Sequence, residues 1–312
     1  MIRLPGWPSR REPDDVAVMV SYASMEAPFL PLLLEQCRLF SRRIVVTQGD
    51  RLYYDGDRDE SAVVELAPEL PEGVAYARYT VDPSLPASER RGVRRRPTAY
   101  FHNLARWSGI TALRASAGRQ ADALWVLLLD GDEVPDGERV RRWFTPRRRT
   151  LDPATAYKMA NYWHYGDVRY RARTWEDSIV LVHMSVVRHQ TAVFGDKERD
   201  HVARSAPRCE RLVPGDDGLP MFTHYSWCRT RAGMRRKLET WAHRDDKFKG
   251  ATVEALLARI FDPAVAEPRA GGAGGEPGIT DIVHGYQYDT IEGDPGIERV
   301  RRALADLEAQ GR

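Results

Sequence analysis

One stretch limits what this chain can fold into more than any other. Ala123-Leu124-Trp125-Val126-Leu127-Leu128-Leu129 is an unbroken apolar run, and it stops at Asp130-Gly131-Asp132-Glu133, followed by Val134-Pro135. An apolar run without polar alternation reads as a strand buried on both faces, hence an interior strand of a parallel sheet. In open α/β sheets, ligands gather at the carboxyl ends of such strands. Three carboxylates placed together at such an end repel one another unless positive charge sits among them. A hard divalent cation, Mn2+ or Mg2+, with oxygen ligands and a bridging phosphate would supply that charge. Asp, Gly and Pro are also turn formers, so a solvated turn is the plain alternative.

The sequence before this run has the order of an α/β unit. Residues 16–20 are a short apolar strand, residues 26–40 are amphipathic at helical spacing, and residues 43–47 are a second strand closing in Gln48-Gly49-Asp50. Such a unit favours parallel strands and a right-handed crossover. Residues 73–81 alternate as a third strand, and residues 98–118 form a long helix carrying Asn103 and Arg106 three positions apart on one face. Between them lies a proline-rich stretch with Arg90, Arg91, Arg94, Arg95 and Arg96, either a solvated loop or a phosphate-steering arm.

After the acidic cluster the character changes. Residues 137–143 form a short helix, and residues 155–165 form a strand rich in Tyr and Trp. A strand at 178–182 follows Trp175-Glu176-Asp177. A charged segment spans 194–201, a short aromatic segment 220–227, and a basic helix 232–248. The Gly-rich stretch 266–278 reads as a loop and 297–309 as a last helix. The expected organisation is an N-terminal extension over 1–14 and one α/β domain over 15–250. Its halves are 15–135 and 136–250, and a C-terminal extension covers 251–312.

Composition narrows the class. At 42% hydrophobic and 29% charged residues the chain is globular, and 47 basic against 45 acidic residues leave a net charge of +2. That balance gives no global field for nucleic acid or a membrane surface. Three cysteines without paired spacing suggest a reducing compartment. No segment approaches the roughly 20 apolar residues that cross a bilayer, and the N-terminus lacks the apolar core of a signal peptide. The expectation is a cytoplasmic enzyme without an integral membrane segment.

Four pieces in order resemble the GT-A glycosyltransferases, nucleotide-sugar-dependent enzymes with a Rossmann-like domain. Val16-Ala17-Val18-Met19-Val20-Ser21-Tyr22 followed by a helix is similar to the family 2 opening. Asn103-Leu104-Ala105-Arg106-Trp107-Ser108-Gly109 is similar to the family 2 segment before the acidic strand. Asp130-Gly131-Asp132 resembles the DxD motif. His224-Tyr225-Ser226-Trp227-Cys228 resembles a segment of the family 17 N-acetylglucosaminyltransferases. Here only Gly49-Asp50 stands where family 2 has an acidic pair after the second strand, and Trp175-Glu176-Asp177 follows the acidic cluster sooner than the family's base motif does.

The resemblance implies a three-layer α/β/α fold around a central mixed, mostly parallel sheet. It also implies transfer of a sugar from a nucleotide diphosphate donor, a UDP-sugar by preference, to a hydroxyl of a glycan, peptide or small-molecule acceptor with inversion. Asp132, helped by Asp130, would hold Mn2+ or Mg2+ against the diphosphate, with His224 completing the ligands; a hydrogen-bonded structural His is the alternative. Arg106, Lys237 and Arg236 would meet the diphosphate, or lie on solvated helix faces. Ser21, Tyr22 and Asp50 would lie near base and ribose, Tyr22 stacking on the base or serving a turn. Asp177 is the first choice for the base and Asp196 the second, against a surface ion pair for either. Trp163, Tyr165 and Trp175 would stack on the acceptor or pack in the core. Glu133 would cap the following helix. Two rival readings remain: a haloacid-dehalogenase-like Mg2+ phosphatase with Asp130 as nucleophile, and a nucleotide-sugar-binding protein without catalysis.

Overall fold

The structure, a computed structural model, describes residues 2–3, 16–52, 63–64, 67–81, 97–195, 197–240, 248, 250–261 and 281–311. The first half comprises β1 (Ala17–Ser21), α1 (Leu30–Arg38), β2 (Arg43–Gly49), β3 (Ala75–Tyr79), α2 (Pro97–Ala117) and β4 (Trp125–Asp130). Its four strands are parallel and lie in the spatial order β3-β2-β1-β4. Alternate residues of β1 serve two cores. Val18 and Val20 pack with Leu33 and Leu34 of α1, whereas Ala17 and Met19 pack with Ile110 and Leu113 of α2. β4 divides the same way, Leu127 and Leu129 to one side and Val126 and Leu128 to the other. Helices cover both faces, which is why β1 and β4 are apolar up to their last residues.

α2 lies close on the sheet because Gly109 has no side chain. A Cβ there would come within 2.2 Å of Met19 Cγ and 2.9 Å of Thr47 Cγ2. α1 begins at Leu30 rather than at residue 26. Pro31 falls in its first turn, where a missing N–H costs nothing.

The chain then forms β5 (Glu133–Pro135), α3 (Gly137–Arg147), β6 (Thr155–Tyr165) and β7 (Asp167–His183). It continues through α4 (Arg199–Ser205), β8 (Arg208–Val213), β9 (Phe222–Trp227), α5 (Arg231–Thr240), α6 (Val253–Phe261), β10 (Tyr288–Thr290) and α7 (Pro295–Ala309). The sheet extends β4-β7-β6-β9-β5, with β8 on β6 and β10 on β7. β7 runs antiparallel to β4 and β6, so the sheet is parallel in its first half and mixed in its second. The architecture is a Rossmann-like α/β fold with helices on both faces. α5 and α6 form a third core with Trp163, Tyr165, Trp227 and Tyr288.

Two local expectations change. Glu133 does not cap α3; it opens β5, and Asp136 caps α3 by accepting from the Arg139 N–H at 3.0 Å. Residues 194–201, read as a charged segment, run into the helix α4. The Arg-rich stretch 82–96 and the Gly-rich stretch 266–278 lie outside the described residues. No helix among the described residues is long and apolar enough to cross a membrane.

Candidate functional site

The site is fixed by one register. β9 pairs antiparallel with β5 so that His224 lies opposite Glu133. The Tyr225 N–H donates to the Asp132 carbonyl at 2.9 Å. β4 ends beside Ser21, which pairs with Asp130. The acidic cluster, the end of β1 and His224 therefore meet at the carboxyl edge of the parallel strands.

Each carboxylate of the cluster has its own guanidinium. Glu133 is fully buried and takes both Nη atoms of Arg199, Nη2 at 2.8 Å. It also accepts from Ser178 Oγ at 2.7 Å and from the Asp130 N–H at 2.8 Å. Asp130 lies 3.1 Å from Arg199 Nη2 and 3.5 Å from Arg106 Nη2. Asp132 is buried and accepts from Arg229 Nη2 at 2.6 Å. Arg229, itself buried, donates to the Met25 carbonyl at 2.5 Å and the Ser226 carbonyl at 3.2 Å. Arg106 donates to Asn103 Oδ1 at 3.4 Å, while Asn103 Nδ2 donates to the Gly195 carbonyl at 2.7 Å.

Electrostatics follow from burial and partners. Burial pushes the Asp132 and Glu133 carboxyls up. Against it, His224, Arg229 and Lys237 hold Asp132 well below the usual carboxylate range, and Arg199 with His224 lowers Glu133. Glu26 goes the other way: burial and the neighbouring Asp132 charge raise it well above a normal carboxylic acid. Its Oε2 accepts from the Ala23 N–H at 2.9 Å and occupies the space a Cβ on Gly131 would need, 2.3 Å away. His224 stands 3.4 Å from Asp132 Oδ1 through Nε2 and 3.7 Å from Glu133 Oε1 through Nδ1. Burial disfavours its charge, but Glu133 and Asp132 prevail and raise its pKa. Lys237 is buried, donates to the neutral Ser226 hydroxyl at 2.7 Å, and is lowered to about 8 by burial and by Arg229.

Of the residues singled out from sequence, Asp130, Asp132, Arg106, His224 and Lys237 are brought together. Arg236 reaches Ser24 Oγ at 3.1 Å beside them. Tyr22 is buried in the α1-side core, its N–H donating to the Thr47 carbonyl. Asp50 closes the ends of β2 and β3 by accepting from the Val81 N–H at 2.8 Å. Asp177 lies in an ion-pair group, accepting from Arg211 Nε at 2.7 Å and Nη2 at 3.0 Å, with Lys158 Nζ at 2.9 Å. Burial would raise it, but those cations lower it. Asp196 lies outside the described residues. Trp163 and Tyr165 both belong to the α5–α6 core, and Trp163 also packs edge-on against His224 with ring centres 4.8 Å apart.

Glu26, Arg199 and Arg229 carry no local sequence signal. A short polar helix and one arginine among many in a basic chain do not announce themselves.

Asp130, Asp132 and His224, the cation ligands that the resemblance implies, lie at one strand edge with arginines on both carboxylates. Among the described residues no group of three or more His, Cys, Asp or Glu side chains is placed to hold a metal ion. Arg199 and Arg106 draw Asp130, and Arg229 holds Asp132. What remains is the facing pair Asp132 and His224, whose imidazole Nδ1 is buried without a hydrogen-bond partner.

No protein-family model matches the chain, and no curated protein matches it. Among solved structures the chain is similar to one described as "Crystal structure of a glycosyltransferase involved in the glycosylation of the major capsid of PBCV-1". The identity is 12% and the TM-score 0.32, covering 68% of this chain and 93% of that one. A likeness this slight carries no argument, and the site is read from its own geometry.

Proposed function

We propose that the chain is a glycosyltransferase of GT-A type that moves a sugar from a nucleotide diphosphate donor to an acceptor hydroxyl. The observation that carries this reading is the buried cation Lys237 beside the carboxyl edge of the parallel strands, bonded to a neutral hydroxyl. Three guanidinium groups, Arg106, Arg199 and Arg229, face the carboxylates Asp130, Asp132 and Glu133 and, 3.4 Å from Arg106, Glu198. Glu26 is pushed toward its neutral form, and Lys237, bonded to the Ser226 hydroxyl, is a buried cation with no carboxylate at hydrogen-bond distance among the described residues. Buried positive charge at a strand edge, hydrogen-bonded only to a neutral hydroxyl in the case of Lys237, is a place for an anion. A diphosphate fits such a cation, and cations fixed against the leaving phosphate stabilise the charge it gains as the sugar departs.

Ser21 and the end of β2 flank the site where base and ribose lie. UDP is the preferred nucleotide, and the acceptor, a glycan, peptide or small molecule, approaches from the aromatic half. Mn2+ or Mg2+ would bind Asp132 and the neutral imidazole of His224 in competition with Arg229. Cation dependence should then appear as a graded change in donor affinity.

Isothermal titration with UDP, GDP and dTDP, each with Mn2+, Mg2+ and EDTA, tests the reading. At least one nucleotide should bind below about 0.1 mM, and Lys237→Met should weaken it about tenfold or more, the loss of one charge-assisted contact. Absence of binding by all three nucleotides under all conditions would overturn the proposal.

A further inference from the structure

Beyond the acidic cluster, Trp163 leads from His224 into a second group of side chains. Trp163 is 5% exposed, and its indole N–H is buried with no hydrogen-bond partner. Its ring meets two imidazoles edge-on, His224 at 4.8 Å and His284 at 4.9 Å. His284 in turn stacks on Tyr286, ring centres 4.9 Å apart and planes within 20°. The loop carrying both is held by Asp281, which accepts from the N–H groups of Val283 at 2.7 Å and Tyr286 at 3.0 Å.

Besides Asp281, 4.0 Å from His284 Nδ1, a second carboxylate faces this group. Glu176 accepts from the Tyr286 hydroxyl at 3.1 Å, and His284 Nδ1 stands 3.8 Å away. Glu176 also lies close enough to His224 to favour its charged form. Two residues along β7, Ser178 reaches Glu133. Glu176 therefore borders both the acidic cluster and the aromatic wall. Its neighbour Asp177 points elsewhere and receives three N–H donors from Arg211 and Lys158. A carboxylate that occupied is a poor proton acceptor, and a base must reach the proton it takes. Glu176 is 18% exposed and accepts its hydrogen bond from a neutral hydroxyl.

We propose that Trp163, His284 and Tyr286 form the subsite for a carbohydrate acceptor and that Glu176 is the base that takes the proton of its attacking hydroxyl. This rests on the glycosyl-transfer reading above. An apolar sugar face lies against the rings, and the unpartnered indole N–H is a donor for a ring hydroxyl. In the step, the acceptor oxygen bonds to the anomeric carbon and its proton passes to Glu176. The bond from that carbon to the phosphate oxygen breaks, and its electron pair leaves with the nucleoside diphosphate.

The test is nucleoside diphosphate release from UDP-, GDP- and dTDP-sugars, with water or a panel of methyl glycosides as acceptor, on the full chain. Glu176→Gln keeps the acceptor atom for Tyr286. Release should fall at least a hundredfold, with UDP affinity and melting temperature unchanged. The acidic limb of the wild-type pH–rate profile should also vanish. His284→Leu should raise KM for the methyl glycoside severalfold while leaving donor affinity in place. If the wild type releases nucleotide and Glu176→Gln stays within threefold of it, the Glu176 assignment is overturned and the transfer reading stands. Loss of release in Asp177→Asn but not in Glu176→Gln moves the base to the neighbour. A wild type that releases nothing from any donor overturns the transfer reading itself, and this inference with it.

Discussion

Arg199→Met tests the claim that arginines, one per carboxylate, hold the acidic cluster together. Arg199 is the sole cation with both Nη atoms near Glu133 and also contacts Asp130. Glu133 is fully buried, so the variant leaves a carboxylate with no guanidinium in a dry site. Removing one partner of a buried pair costs about 3–5 kcal/mol. Ser178 and the Asp130 N–H still bond to Glu133, which places the expected loss near the lower end, about 3 kcal/mol. At roughly 2 °C per kcal/mol for a chain of this size, the melting temperature should fall by about 6 °C.

The loss should depend on pH, and the sign differs between the two proteins. In the wild type the folded-state pKa of Glu133 is lowered, so its contribution is present above the unfolded value and lost as pH falls through the folded one. Without Arg199, burial dominates and raises the folded-state pKa. The folded variant then holds an extra proton above about pH 4.3 and loses stability as pH rises through that window. The deficit relative to wild type should grow from pH 5 to pH 8 in urea unfolding followed by circular dichroism. Arg199→Met combined with Glu133→Gln should recover most of it, since no carboxylate is left buried without its guanidinium. A deficit under 1 kcal/mol, or one equal at both pH values, would refute the argument.

Gly131→Ala puts a methyl group 2.3 Å from Glu26 Oε2. Nucleotide affinity measured by titration should weaken about tenfold, near 1.4 kcal/mol, and Glu26→Ala in the same chain should relieve the clash. Gly109→Ala gains roughly 1 kcal/mol of helix propensity but drives a Cβ to 2.2 Å from Met19 Cγ. Overpacking costs about 1–3 kcal/mol, so urea unfolding should show net destabilisation. His164 is buried with Nδ1 2.5 Å from the Val168 carbonyl, and burial lowers it to about 4. Its stabilising contribution is complete above about pH 6.5 and is lost as pH falls toward 4, at up to about 1.4 kcal/mol per pH unit. His164→Gln should remove that part of the slope from an unfolding series between pH 4 and 7.

The parts of the fold that were legible are those where burial writes itself into local composition. β4 is apolar up to its last residue because helices cover both its faces. The aromatic strand β6 starts and stops at the residues its pattern indicates. α4 was not legible because its inward face is short. Val202 and Ala203 are its buried apolar residues, and Arg199, the third buried residue, is turned inward by Glu133. A charged residue reads as surface until its partner is known, and that partner is 66 positions away.

The same reasoning explains what could be read of the site. The acidic cluster signals a need for positive charge by its composition, since like charges at a strand end are unstable alone. Composition does not say which positive group answers. Arg229 lies 97 positions from Asp132 and is brought there by the pairing of β9 with β5, a register that no local pattern encodes. The choice between Glu176 and Asp177 turns on a smaller detail of the same kind. Neighbours on a strand point to opposite faces, so one of the two faces the cleft and the other the ion-pair group. A register shift between Glu176 and Ile179 falls between these residues and the apolar end of β7. Counting alternation back from the buried end therefore carries the wrong parity across the irregularity. Hydrogen-bond partners decide instead: Tyr286 for Glu176, and Arg211 with Lys158 for Asp177.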